Sequence, residues 1–387
     1  MKCFVNGKLV FPDRITEGAI LVDHGKIIAS GDVAVPVNAE RIDLDGAYVG
    51  PGLFDIHVHG YAAEGLDGPH YSAWGDPANM ALCHLKSGTT SITPSVSYSN
   101  TLEDYLSCVE KIRPLLREGK TSIVGIHFEG PFTNPQFGAS SHSAWTYSRE
   151  LCEKIFDAAG EDVLHCTYAP ELAHAEEFEL FLRERGVVAD IGHTSLTPAE
   201  AQRAVKNGAR IVTHLFDAMG CHAGYASVDT TGVLQESADA VTLACDGLYY
   251  ELICDSRGIH VKPSNARMAY RCAGEDRIIL VTDSVPGATH NPTDYPADSP
   301  MSAPDLNYNA AGELSGSRCL LSDCCRNFMR FTGADIRVAF KCAATNPAKA
   351  LGLDGRIGSI LAGRDANLLV VRDDFRVESV YFRGMRV

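Results

Sequence analysis

Beyond residue 50 the chain repeats one pattern: an apolar run of about five to eight residues, a polar loop, then a stretch of helix length. That alternation is what parallel βα units leave in a sequence. Eight runs read as strands, at 54–59, 91–94, 123–129, 164–169, 187–193, 211–216, within 241–254, and 278–283. Helix starts are legible between them. Thr101-Leu102-Glu103-Asp104 and Thr197-Pro198-Ala199-Glu200 each set a capping hydroxyl three residues before a carboxylate, and Pro198 suits a first turn. Leu102, Leu106, Val109 and Ile112 then fall on one helical face. Eight such units predict an α/β fold, a (β/α)8 TIM-type barrel.

Residues 1–50 read differently, as short strands with tight turns at Asn6-Gly7 and Asp23-His24-Gly25. Strand-like text returns at 359–361, 366–371 and 377–382. The two ends therefore predict a small β-sandwich domain, 1–50 with 355–387, beside a metal-dependent barrel at 51–354. A polar stretch rich in Pro and Asp, 285–316, is expected to loop over the barrel mouth. A last helix is expected at 343–351, and Cys324 and Cys325 are assigned to helix packing before Phe328.

Composition narrows the partners. Lys and Arg total 34 against 49 Asp and Glu, a formal charge of −15, which argues against a nucleic-acid partner held through a basic face. No span approaches 18 uninterrupted apolar residues, so no membrane is expected. The thirteen cysteines are scattered and form no Cys-x-x-Cys, the usage of a reduced, cytoplasmic protein.

The chemistry gathers at the strand ends, where barrels of this type build their sites. His57 and His59 close the first strand one residue apart, and alternation points both to one face. Glu129 ends the third, His193 the fifth, His214 the sixth and Asp283 the eighth. Imidazoles and carboxylates in one ring are the donor set of a divalent transition metal. Glu129, His193 and His214 can hold one ion with a position left for water, and His57, His59 and Asp283 can complete a second site.

With these residues the chain resembles the amidohydrolase superfamily and, within it, the N-acetylglucosamine-6-phosphate deacetylases. The resemblance runs from Met1 to Val387. It is carried by His127-Phe128-Glu129-Gly130-Pro131-Phe132, Ala169-Pro170-Glu171, Gly192-His193-Thr194-Ser195, Thr213-His214-Leu215-Phe216-Asp217-Ala218-Met219, Val281-Thr282-Asp283-Ser284 and Gly312-Glu313-Leu314-Ser315-Gly316-Ser317. The resemblance implies hydrolysis of the linear acetamide of N-acetylglucosamine 6-phosphate to glucosamine 6-phosphate and acetate in amino-sugar catabolism. It implies one or two divalent ions per subunit, zinc first and iron, cobalt or manganese as alternatives, and a homodimer. Glu129 matches the glutamate that stands where many relatives carry a carboxylated lysine. Asp283 takes the catalytic role. His142 matches, with a one-residue shift, a histidine that orients the sugar.

Departures bear on the substrate. The family's Asn-Ala-Met is Asp217-Ala218-Met219 here, which sets a carboxylate beside the expected phosphate. The loop at 220–230, where the family carries an arginine for the phosphate, has none. Arg257, inserted before His260 in Asp255-Ser256-Arg257-Gly258-Ile259-His260, is either the replacement cation or a solvated loop residue. The alternatives are an amidohydrolase acting on a non-phosphorylated or different N-acyl substrate, and a non-catalytic barrel. The latter predicts loss of Asp283 or of ligands, and all six are present.

Overall fold

A computed structural model describes residues 1–62, 70–96, 101–139, 145–221, 236–287 and 295–387. Its centre is an eight-stranded sheet of parallel strands: Leu53–Val58, Thr89–Val96, Ile126–Glu129, Val163–Tyr168, Val188–Ile191, Ala209–Val212, Tyr249–Ile253 and Ile278–Val281, each beside the next in that order. These are the eight runs expected from the sequence. Closure is made by residues of the site: Asp283 N donates to His57 O at 2.9 Å, and His59 N to Ser284 O at 2.8 Å. Below them Thr282 Oγ1 donates to Asp55 Oδ2 at 2.6 Å, tying the eighth strand to the first.

The barrel interior is unusually polar. Ser95 Oγ meets His127 Nδ1 at 2.8 Å, His127 Nε2 meets Thr167 Oγ1 at 3.0 Å, and Thr167 Oγ1 meets Thr213 Oγ1 at 2.9 Å. All four residues are fully buried, so each hydroxyl and ring nitrogen must find its partner inside the barrel. Apolar residues instead fill the layer between strands and outer helices, where Phe128, Phe156, Phe178 and Phe328 lie.

Capping boxes start the helices Leu102–Glu118 and Pro198–Asn207 at Thr101 and Thr197. The buried face of the first is Tyr105, Cys108, Val109 and Ile112; Leu102 and Leu106 are only partly covered. Tyr105 takes the deeper place because its ring packs edge-on against Phe128 at 5.3 Å. The last helix starts earlier than its apolar text, at Ile336 behind an Asp335 cap, and runs through a π turn at Lys341–Thr345 to Ala350. Cys324, Cys325 and Phe328 are buried on Leu321–Thr332. The stretch after Val285 is not structureless: Leu306–Tyr308 and Leu314–Ser317 pair as a hairpin.

Both chain ends share one mixed sheet, in which Tyr48–Pro51 lies between Lys2–Val10 and Leu368–Val371. Arg337 links this sheet to the barrel, donating to Pro12 O at 2.8 Å while gripping Glu275 Oε2 at 2.7 Å; Lys341 Nζ adds a 2.8 Å contact to Glu275 Oε1. The hydrogen bond from Arg337 outweighs the opposing effect of burial and, with Lys341, lowers the Glu275 carboxyl to about 2. A depressed folded value means the group stabilises the fold fully above its ordinary value of 4.5, and the contribution is lost as pH falls toward about 2. Glu275→Gln is therefore expected to melt below wild type at pH 7, with the gap closing between pH 4.5 and 2; thermal melts of both proteins across that range check it.

Candidate metal centre

Six side chains converge at the carboxyl end of the barrel. His57 is on the first strand and Glu129 ends the third; His59, His193, His214 and Asp283 follow within two residues of strand ends. His193, His214 and Asp283 have φ of 47°, 29° and 46°, the left-handed region that side chains rarely occupy. Such turns redirect the chain abruptly off a strand, and they cluster where a site over-determines the backbone. Gly316 makes one of them fit: a Cβ there would stand 2.7 Å from Asp283 O and 2.6 Å from Val285 Cγ1.

The atoms lie close. Glu129 Oε1 is 2.9 Å from His193 Nε2 and 3.3 Å from His214 Nε2, and those two nitrogens are 3.1 Å apart. His57 Nε2 and His59 Nε2 are 3.3 Å apart, with Asp283 Oδ1 at 3.5 and 3.4 Å from them. Glu129 joins the two groups, Oε1 at 3.4 Å from His57 and Oε2 at 3.1 Å from His59. Bonds of 2.0–2.1 Å at tetrahedral angles would set ligand atoms about 3.3–3.4 Å apart.

The histidines' far sides decide what the near sides need. His193 Nδ1 faces Phe137 O and His214 Nδ1 faces Asp217 O, both at 3.1 Å. A carbonyl can only accept, so each Nδ1 carries the hydrogen and each Nε2 of a neutral ring presents a lone pair. Two lone pairs 3.1 Å apart repel unless a cation or proton lies between them, so the residues fit a divalent ion. In its absence protons serve. Burial alone would lower His57, but Asp283 and Glu129 hold it well above the ordinary imidazole value. Burial likewise opposes charge on His214, and Glu129 and Asp217 raise it to about 9. Burial would raise Glu129, yet His57, His193 and His214 keep it well below the carboxylate range. Metal and protons thus compete for the same atoms.

A third group, His127, His165 and Asp190, does not fit an ion. The two rings stack at 4.1 Å and 4°, so no point lies in both ring planes where the lone pairs point. His165 is moreover committed to Asp190 at 2.5 Å and Thr93 at 3.2 Å.

A cavity of about 730 Å³, open to solvent, lies over the six residues; His59, Glu129, His193, His214 and Asp283 line it, with Trp74, Asp217, Ala218, Pro286 and Ser315 among its walls. His260 is buried just behind: Nδ1 meets Asp255 Oδ2 at 3.1 Å, Nε2 meets Gly316 O at 3.2 Å, and Asp217 Oδ2 is 4.0 Å away. Burial lowers His260, but Asp255 and Asp217 more than offset it and hold the imidazole above its ordinary value, and both ring nitrogens already face acceptors. Arg257 is not brought to the cavity: its guanidinium holds Ala297 O at 2.7 Å and Ser302 Oγ at 3.1 Å, pinning the long loop, and the chain's direction there leaves it exposed. His142 falls outside the described residues.

Sequence reasoning missed Trp74, which is 38% exposed on the cavity wall, and the roles of Glu171 and Glu251. Glu171 braces the loop after His193, accepting from Ser195 N at 2.8 Å, Asn134 Nδ2 at 2.9 Å and Thr194 Oγ1. Glu251 was visible as a lone charge inside the apolar text Tyr249-Tyr250-Glu251-Leu252-Ile253.

Comparison with known proteins places these features in company. The amidohydrolase family's sequence profile matches residues 48–387. N-acetylglucosamine-6-phosphate deacetylases of Bos taurus and Bacillus subtilis strain 168 are each 28% identical over 389 residues, covering 96% of this chain and 93% and 92% of theirs. The crystal structure of that deacetylase from Pasteurella multocida aligns at a TM-score of 0.84 with 26% identity, covering 100% of this chain and 99% of its own. A Mycobacterium smegmatis deacetylase variant, solved with N-acetyl-D-glucosamine 6-phosphate, aligns at 0.81 with 26% identity, covering 100% and 98%.

Proposed function

Because the chain belongs to the amidohydrolase family, we propose that it hydrolyses the acetamide of N-acetylglucosamine 6-phosphate, releasing acetate and glucosamine 6-phosphate. The observation that carries this reading is the convergence of Glu129, His193, His214, His59 and Asp283 in one open cavity, with His57 buried against them. The first three would hold one divalent ion and the others a second, with Asp283 doubling as catalytic base. Zinc, in one or two copies, suits the imidazole-rich set best. Bound there, it would polarise the acetamide carbonyl and lower the pKa of water from 15.7 to about 7.

The chain's own residues do the rest. Asp283 accepts the proton of the attacking water and returns it to the departing amine, which leaves only when protonated. Trp74 offers an apolar face along which a sugar ring can lie, and Asp217 and the backbone of Ala218 orient its polar edge. His142 is assigned to the sugar by its place in the sequence. The reading takes 1–50 with 355–387 as the small β unit, 51–354 as the catalytic one, and the assembly as a homodimer. Among the described residues no helix is long and apolar enough to cross a membrane. The scattered cysteines support a cytoplasmic setting. Incubation with N-acetylglucosamine 6-phosphate, with mass-spectrometric detection of glucosamine 6-phosphate, tests the reading; an unchanged substrate peak would refute it.

A second reading, the same chemistry on a sugar without phosphate, is favoured by the cavity's charge. No Lys or Arg lines it among the described residues, and the segments outside the description carry none in their sequence. At that wall the Asp217 carboxylate stands 4.0 Å from His260 Nε2, and the ring's other nitrogen is taken by Asp255. Asp217→Asn is expected to raise kcat/KM for the phosphorylated sugar relative to the unphosphorylated one by about tenfold, or 1.4 kcal/mol; steady-state kinetics with both sugars checks it.

A further inference from the structure

We infer that Glu251 is a positioning residue shared by both halves of the metal centre. The inference rests on the ligand set proposed above. Glu251 sits on the seventh barrel strand, fully buried, below the ring of six rather than in it. One oxygen, Oε2, faces two of the proposed ligands at once. It lies 3.1 Å from His57 Nδ1 and accepts the backbone N–H of His214 at 3.2 Å. The same residue's carbonyl accepts from Leu215 N at 2.9 Å, so side chain and main chain of Glu251 together fix the turn that carries His214. That turn is the one bent to φ 29°, a conformation the backbone would not hold unaided.

The first contact sets a tautomer. A carboxylate can only accept, so it places the His57 hydrogen on Nδ1 and leaves Nε2, the atom facing His59, Glu129 and Asp283, with its lone pair free for a metal. A ring with the hydrogen on Nε2 would present a donor to the ion and repel it. Partners of this kind, one bond removed from the ion, typically alter metal affinity by 10–100-fold. Glu251 differs from the other buried carboxylates of the barrel interior. Asp190 faces His165, and Asp55 faces Thr282; neither touches a proposed ligand through its ring. Among the described residues its other oxygen, Oε1, has no hydrogen-bond partner, so an amide at this position can keep Oε2's two contacts and turn its NH₂ to the Oε1 side.

The test separates acceptor from packing. Glu251→Met keeps the volume but removes the acceptor; Glu251→Gln keeps one acceptor oxygen. Zinc affinity is measured by chelator competition on folded protein, with Asp190→Asn as the control for a buried carboxylate of the same layer. The expected result is a ten- to hundredfold loss for Glu251→Met, largely restored in Glu251→Gln and absent in Asp190→Asn. Glu251→Met within threefold of wild type, Glu251→Gln as weak as Glu251→Met, or an equal loss in Asp190→Asn would each overturn the inference. Should Glu251→Met not fold, ¹⁵N-histidine spectra of zinc-loaded wild type decide instead: the hydrogen of His57 belongs on Nδ1, and finding it on Nε2 overturns the assignment. Failure of the whole ligand set would show separately, as wild type that binds no zinc.

Discussion

Asp283→Asn is expected to lower kcat for acetate release by about 10²–10⁴-fold, the range that a positioned general base contributes. The substitution is isosteric, and the features that hold the residue are main-chain ones. Asp283 N donates to His57 O and Asp283 O accepts from Ser317 N at 2.8 Å, so the turn survives the change. What is lost is the capacity to take a proton and give it back. The carboxylate stands within 3.5 Å of His57 and His59, at the open side of the cluster where the cavity begins. Because Glu129, His193 and His214 are untouched, zinc content per subunit should fall by no more than one ion. Turnover measured beside metal content checks both halves, and retention of more than a tenth of wild-type kcat would remove Asp283 from the role of base.

The second large effect is on the metal itself. Replacing His193 and His214 by Ala deletes two of the three groups around Glu129 Oε1 and leaves a buried carboxylate with only the first-strand histidines beside it. Wild type at a zinc concentration a thousandfold above Kd should gain about 4.1 kcal/mol of stability from mass action alone. The double variant should show little of that gain and no measurable turnover. Thermal melts with and without zinc, read beside metal analysis, test this. A zinc-dependent shift equal to that of wild type would place the ion elsewhere.

Much of this architecture could be read from the chain alone because its cues are local. A parallel barrel strand is buried on both sides, so it leaves a short, largely apolar run, and all eight runs became strands. The six polar residues at their ends stood out for the same reason, as charges and imidazoles closing apolar text. Other features depend on partners distant in sequence. Tyr105 rather than Leu106 turns inward because Phe128 awaits it, which no helical wheel reveals. The sequence left Arg257 as either a replacement cation or a solvated loop residue; carbonyl and hydroxyl groups 40 and 45 residues away hold its guanidinium on the long loop. Glu251 stood out as a lone charge in apolar text, but its partner, His57, lies 194 positions away and only the fold brings the two together. The hairpin at Leu306–Ser317 was obscured by the Pro and Asp that precede it.

The account's central claim is metal-dependent hydrolysis at the six-residue cluster, and its most direct test is isotopic. Zinc-loaded protein is given N-acetylglucosamine 6-phosphate in H₂¹⁸O, beside chelated protein and the Asp283→Asn variant. The account predicts acetate carrying one ¹⁸O, no acetate above background from chelated protein, and release slowed by about 10²–10⁴-fold in the variant. Acetate release that persists undiminished after the metal is removed, or no acetate from zinc-loaded wild type, would contradict it.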